Sequence, residues 1–243
     1  MMDQLSFRAR LTHGAHLFKA IFRQHHEELA PLLSRYVPKD GVVIDVGAHA
    51  GQFAKLFAKL APQGHVYAFE PGSYALSILT KVRVLRRLKN VSIHAVGLSD
   101  ADAVASLSMP IKASGSMGFG LSTLAGKASE GASLEEKISL TTLDQFVADH
   151  KITRIDFIKA DIEGWEMHML LGAQQSLEKF RPVLMLEADD AWLLRAGHSR
   201  KGLLDFLTQR NYKVFASDDN GSLIPAAPDT LDIICVPAEK APR

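Results

Sequence analysis

A β-branched run that breaks into a glycine-bearing turn constrains this chain more than any other stretch. Val42-Val43-Ile44 runs into Asp45-Val46-Gly47-Ala48-His49-Ala50-Gly51, and Phe69-Glu70-Pro71 follows beyond a helical stretch. A continuous apolar run suits a strand buried on both faces. Glycine at its end lets backbone N–H groups approach a ligand at the carboxyl edge of a parallel sheet. A dinucleotide turn needs G-x-G-x-x-G, whereas the pattern here is D-x-G-x-x-x-G. Without a pyrophosphate cradle, an NAD-linked sugar dehydrogenase loses its main support. S-adenosylmethionine, a nucleoside cofactor without phosphates, is the natural candidate, with Glu70 placed to grip the ribose diol.

The rest of the chain fits one α/β domain. Residues 1–38 read as an N-terminal helical extension and 39–240 as the catalytic domain, with 101–136 as an irregular Ser/Gly-rich insert and a candidate substrate lid. Between these, strand-like runs at Val42–Val46, His65–Phe69, Val91–Val96, Ile155–Ala160 and Val183–Leu186 alternate with helical stretches, which predicts a doubly wound, mostly parallel sheet. The closing runs Tyr212–Ala216 and Leu231–Val236 have no helix between them, so one reversed strand is expected. Thr142 is a candidate helix cap, with Gln145 reaching back to it.

With 28 basic and 27 acidic residues the net charge is +1, and bulk charge does not predict a nucleic-acid partner. The single cysteine, Cys235, excludes an intramolecular disulfide and reads as a small buried hydrophobe. In the N-terminal region Phe7, Leu11, Phe18 and Phe22 form a stripe with basic flanks. Packing on its own domain, or on the N-terminal helices of a second copy, is favoured over a membrane surface. Absence of an unbroken apolar segment there leads to the expectation of a cytoplasmic protein without a transmembrane segment.

Acidic groups recur at the strand exits: Asp45, Glu70, the Ser99-Asp100 pair, Asp161 and Glu187. Asp45 is expected to organise the glycine turn and the cofactor's amino end, and Asp100 to accept from the adenine amino group. Gly47, Ala48, His49, Gly51, Pro71, Ser99 and Asp161 complete the expected cofactor contacts. Tyr74 is read as a packed helical tyrosine rather than a cover for the adenine. Asp161, Glu163, Glu187, Lys159 and His168 are the candidates for catalysis, Glu163 or His168 as base. Glu166 belongs to the same cluster, although a position in the first turn of a helix would explain both Glu163 and Glu166 without chemistry. Asp161, Glu187 and Asp189 are the oxygen donors available should a divalent ion take part.

At these residues the sequence resembles the FkbM family of S-adenosylmethionine-dependent methyltransferases. Asp45-Val46-Gly47-Ala48 through Gly51, then Phe69-Glu70-Pro71, then Ile158 through Glu166 with Leu171-Gly172-Ala173 match in order, and Thr141 through Asp144 and Pro182 through Glu187 fit as well. The likeness spans roughly residues 41–187, and the third block is its most specific part. His49 stands where members commonly have asparagine, and Ala160 where they have a larger aliphatic. The resemblance implies the Rossmann-like class I methyltransferase fold with seven strands, and O-methylation of a sugar, glycan or glycolipid, or natural-product hydroxyl. The alternative is a non-catalytic methyltransferase-like domain that binds a nucleoside or a partner protein; the acidic groups kept at the strand exits argue against it.

Overall fold

The computed structural model describes residues 7–110, 133–218 and 220–242. Its centre is an eight-stranded sheet in the order β10-β9-β11-β8-β7-β1-β2-β3. The five strands β1 (Val42–Val46), β2 (His65–Phe69), β3 (Val91–His94), β7 (Phe157–Ala160) and β8 (Val183–Glu187) are mutually parallel. They are short, and the central ones, β1, β7 and β8, are almost wholly buried because helices cover both faces, whereas β3 at the edge is half-buried at three of its four residues; α3 (Gln52–Leu60) and α4 (Ser73–Leu85) are among the covering helices. On one face Phe53, Phe57 and Phe157 pack around Val43 and Val66; on the other, Leu170, Leu177 and Leu207 pack around Ile44 and Ile158.

Register decides where the chemistry sits. Val46 pairs with Phe69 and Ala160, and Ala160 with Leu186, so Gly47, Glu70, Asp161 and Glu187 follow aligned positions at one edge.

Two strands run against the parallel set, not one. β11 (Asp232–Pro237) pairs antiparallel with β8 and with β9 (Tyr212–Ser217), and β10 (Leu223–Pro225) folds back on β9. The additional strand arises at Asp218, whose carboxylate accepts from Asn220 and Ser222 N–H at 3.0 and 2.7 Å and closes a tight hairpin. The stretch expected to be an irregular insert contributes regular structure. Within it β5 (Ala103–Pro110) pairs antiparallel with β6 (Ser133–Thr141), which joins β4 (Gly97–Leu98) in a second, three-stranded sheet. Leu107, Ile138 and Leu140 bury themselves between it and the domain. Residues 111–132, the centre of the expected lid, lie outside the described residues.

The extension contributes α1 (Phe7–Phe22) and α2 (Ala30–Leu33); of the expected apolar stripe, the side chains of Phe7 and Leu11 lie outside the described residues, and the other two are not buried. Phe18 and Phe22 are exposed, whereas His13, Leu17, Ala20 and Ile21 face Tyr74, Ile78 and Val82 of α4. Thr142 caps α5 (Leu143–Asp149) by accepting from Gln145 N–H at 3.0 Å, while the Gln145 side chain donates to Asp149 instead of reaching back. The helix after β7 is broken into α6 (Glu166–Leu171) and α7 (Gln174–Phe180) at Gly172, where a Cβ would lie 1.9 Å from the Ser99 carbonyl oxygen.

Candidate active site

The exits of β1, β2 and β7 surround a cleft of about 250 Å³. Gly47, Ala48, His49, Glu70, Pro71, Lys159, Asp161 and Glu163 line it, so most of the residues singled out for cofactor and catalysis come together. Gly47 has φ +71° and no room for a side chain, since a Cβ would sit 2.1 Å from the Asp161 carbonyl oxygen. Gly51, also left-handed, stands behind the lining as the N-cap of α3.

Glu70 is 8% exposed, and its carboxylate is fixed from both ends. Oε2 accepts from His49 N–H at 2.8 Å and Oε1 from Gly72 N–H at 2.9 Å. Burial pushes its pKa up to about 7 against those two amides. His49 adopts φ +51° in the turn where its amide donates to Glu70, and burial lowers its imidazole pKa to about 4.

Asp45 lies beneath the turn and does not line the cleft. It is 0% exposed, and neither carboxylate oxygen has a hydrogen-bond partner. Its compensation is Lys159, whose Nζ is 3.8 Å from Asp45 Oδ1 and 3.5 Å from Asp161 Oδ2 and donates to the carbonyls of Val46 and Gly47 at 3.3 and 3.0 Å. Burial disfavours the Lys159 charge, but Asp161 and Asp45 outweigh it and hold the ammonium protonated. Burial lifts Asp45 to about 6, with Lys159 opposing and Asp161 adding. This buried cation cross-links the ends of β1 and β7 under the cleft.

The Asp161-to-Gly164 turn is left-handed at Glu163 (φ +52°), a disfavoured conformation, and at Gly164 (φ +96°), where glycine is required because a Cβ would meet the Trp192 carbonyl oxygen at 2.4 Å. Glu166 braces this turn by accepting from Ile162 N–H at 2.8 Å. Glu163 sits in the cleft wall with its pKa raised to about 7 by burial and by Asp161 and Asp189. Beyond it Glu187 rises to about 8 through burial and then Asp161 and Glu163.

Several expected contacts lie elsewhere. Ser99 and Asp100 are outside the lining: Ser99 Oγ accepts from Trp165 Nε1 at 3.1 Å and donates to Asp100 at 2.9 Å. His168 is 3.3 Å from Asp100 and stacked on Trp165 at 4.0 Å, apart from Asp161. Asp189 Oδ1 accepts from Ala191 and Trp192 N–H as the cap of α8 (Asp190–Arg195), an arrangement that competes with metal ligation. Among the described residues no three His, Cys, Asp or Glu side chains converge as a ligand set, so Asp161, Glu187 and Asp189, the donors available to a divalent ion, do not come together as one.

The cleft also has walls that sequence reasoning missed or passed over. Leu107 reaches it from β5, Trp165 from the turn before α6, and Tyr74 from α4. His26 enters from the N-terminal extension, stacked on Phe53 at 4.5 Å. Gln24 Nε2 donates to the Gln52 carbonyl at 3.1 Å and His25 N–H to Gln52 Oε1 at 3.2 Å, which bolts this segment to the first turn of α3. No local signal marks His26, because it meets the site only through tertiary packing.

The raised carboxyls set a pH dependence. A carboxyl whose folded pKa exceeds its unfolded value keeps its proton longer in the native state, so its stabilisation is present at low pH and lost as pH rises through the folded pKa. His49 and His94, both lowered to about 4, act oppositely, but only below the unfolded imidazole value of 6.5. Thermal stability of the ligand-free protein is therefore expected to fall between about pH 6.5 and 8.5, and Glu187→Gln to flatten that fall. A melting series in both proteins checks this, and a rising curve would contradict it.

The Methyltransferase FkbM domain model matches residues 45–214. Among curated proteins, the AMB antimetabolite synthetase AmbE of Pseudomonas aeruginosa is 27% identical over 75% of this chain, which spans 10% of that protein's length. The hexuronic acid methyltransferase AglP of Haloferax volcanii is 26% identical over 65% of this chain and 61% of its own. Among solved structures, a methyltransferase FkbM from Methylobacillus flagellatus superposes with a TM-score of 0.52 at 15% identity, over 93% of this chain and 59% of that one. That likeness carries the fold, and the domain match over more than half the chain carries the family: the protein belongs to the FkbM methyltransferases.

Proposed function

We propose that the protein transfers a methyl group from S-adenosylmethionine to a hydroxyl of a sugar, glycan or glycolipid, or natural-product acceptor. The cleft suits the donor on its own chemistry. Glu70 presents an anchored carboxylate for the ribose hydroxyls, and Ala48, Pro71, Leu98 and Leu107 offer apolar surface to the base. Lys159 stays charged beneath the turn and orients Asp161 toward the amino-acid end. When bound, the donor supplies an electrophilic methyl on a sulfonium. The name of the Haloferax relative supports a sugar acceptor.

The observation that carries the reading is Glu163. Its carboxyl exchanges its proton near pH 7 in the wall of the cleft, which suits a general base for an attacking hydroxyl. His168, stacked on Trp165, has no part in this mechanism. Glu163→Gln is expected to lower kcat by about a hundredfold while donor affinity stays unchanged. The test follows S-adenosylhomocysteine release over a panel of uronic acid glycosides, neutral sugars and hydroxylated small molecules. Donor binding without turnover across that panel would favour the non-catalytic alternative. A wild-type rate in the variant would remove Glu163 from the mechanism.

A further inference from the structure

The charge balance of the whole chain hides a one-sided surface. Between Asp3 and Glu27, and again between Glu70 and Asp100, there is no acidic residue. These two segments supply α1 and α4, which pack side by side: Leu17, Ala20 and Ile21 share a cluster with Ile78, Val82 and Leu88, and Gln24 shares a shallow cleft with Arg86 and Arg87. Their last turns therefore meet. Lys19, Arg23, Arg86, Arg87 and Lys89 are all exposed there. Glu27, at the border of that cleft, is tied to Lys59 at 2.8 Å.

Large apolar side chains adjoin these cations along the chain: Phe18 precedes Lys19, Phe22 precedes Arg23, and Val84 and Leu85 precede Arg86 and Arg87. Of eight exposed large hydrophobics among the described residues, four come from these two helices: Phe18 at 63%, Phe22 at 67%, Val84 at 63% and Leu85 at 60%. Phe18 and Phe22 lie one turn apart with ring centroids at 4.7 Å. The helix that presents them is fixed, because Lys55 Nζ donates to the carbonyls of Ala20 and Arg23 at 2.6 and 2.7 Å.

We propose that the joined C-terminal turns of α1 and α4 dock on an anionic lipid surface. Exposed aromatic and aliphatic groups interspersed with Lys and Arg match the acyl boundary and headgroups of such a surface. A two-fold contact between copies would set this basic face against itself. A nucleic-acid backbone would satisfy the cations and leave Val84 and Leu85 without a partner. Docking requires neither the methyl donor nor the reaction.

Co-sedimentation with vesicles of phosphatidylcholine alone, or with about 30% phosphatidylserine, tests this. The protein is expected to bind only the anionic vesicles and to be released in about 0.5 M NaCl. Phe18→Ser/Phe22→Ser and Arg86→Glu/Arg87→Glu should each lower partitioning at least about tenfold, with melting temperatures unchanged. No binding, or equal binding to neutral vesicles, would overturn the proposal. So would a wild-type dimer that either double variant dissolves, or RNA binding as tight as vesicle binding and indifferent to the Phe18/Phe22 change.

Discussion

Replacing Lys159 by methionine is expected to destabilise the protein by about 3–5 kcal/mol, the usual consequence of leaving a buried charge without its partner. Asp45 is fully buried with no hydrogen bond to either oxygen, so the Lys159 ammonium is its compensating group. The same ammonium joins the carbonyls of Val46 and Gly47 to Asp161 across two strand ends. In the variant Asp45 must take a proton to remain buried. The loss should therefore be greatest at high pH and shrink as pH falls through the raised folded pKa of Asp45. Adding Asp45→Asn removes the orphaned charge and should restore a large part of the stability, a coupling that urea denaturation of the two single variants and the double variant measures. A loss below about 1 kcal/mol in Lys159→Met, or strict additivity in the cycle, would show that the pair is not coupled.

Glu70→Ala is the second large effect. Both oxygens are already oriented by backbone amides, so the carboxylate reaches the ligand without first being ordered. Two charge-assisted bonds to a ribose diol contribute about 1.5–3 kcal/mol each, and losing both should weaken binding of S-adenosylhomocysteine by at least about a hundredfold. The alanine also strands the N–H groups of His49 and Gly72, so His49 should lose its left-handed geometry and the turn should loosen. Glu70→Gln keeps the shape and should fall between. Calorimetric titration of the three proteins decides the matter, and affinity within about threefold of wild type in Glu70→Ala would reject the ribose role.

What the chain discloses without its structure follows from where the information is local. β1 and β2 are legible to the residue because a buried parallel strand is a largely apolar run, interrupted in β1 by Asp45 alone and ended here by Gly47 and Glu70. Register then converts strand exits into a site, which makes Glu70 and Asp161 readable from sequence. β5 and β6 are not, because Ser and Ala dilute the alternation that Leu107, Ile138 and Leu140 carry. β10 is three residues long and ends in Pro225, too little pattern to register. In α1 the apolar period selects Phe18 and Phe22, while packing against α4 selects small or polar residues, Ala20 and His13, that no hydrophobicity rule would choose. Asp100 looks like an adenine contact by its place after the third strand. Its neighbours Trp165 and His168, brought from some 65 positions away by folding, explain why it stands outside the cleft.

The edge formed by β1, β2 and β7 is expected to hold a sulfonium nucleoside. Crystals grown with S-adenosylhomocysteine decide whether it does. Density for the ligand is predicted between Gly47 and Glu163, with the ribose hydroxyls within hydrogen-bonding reach of Glu70 and the amino-acid end beside Asp161. A ligand bound at another edge of the sheet, or a cleft that stays closed around its own side chains at saturating ligand, would contradict it.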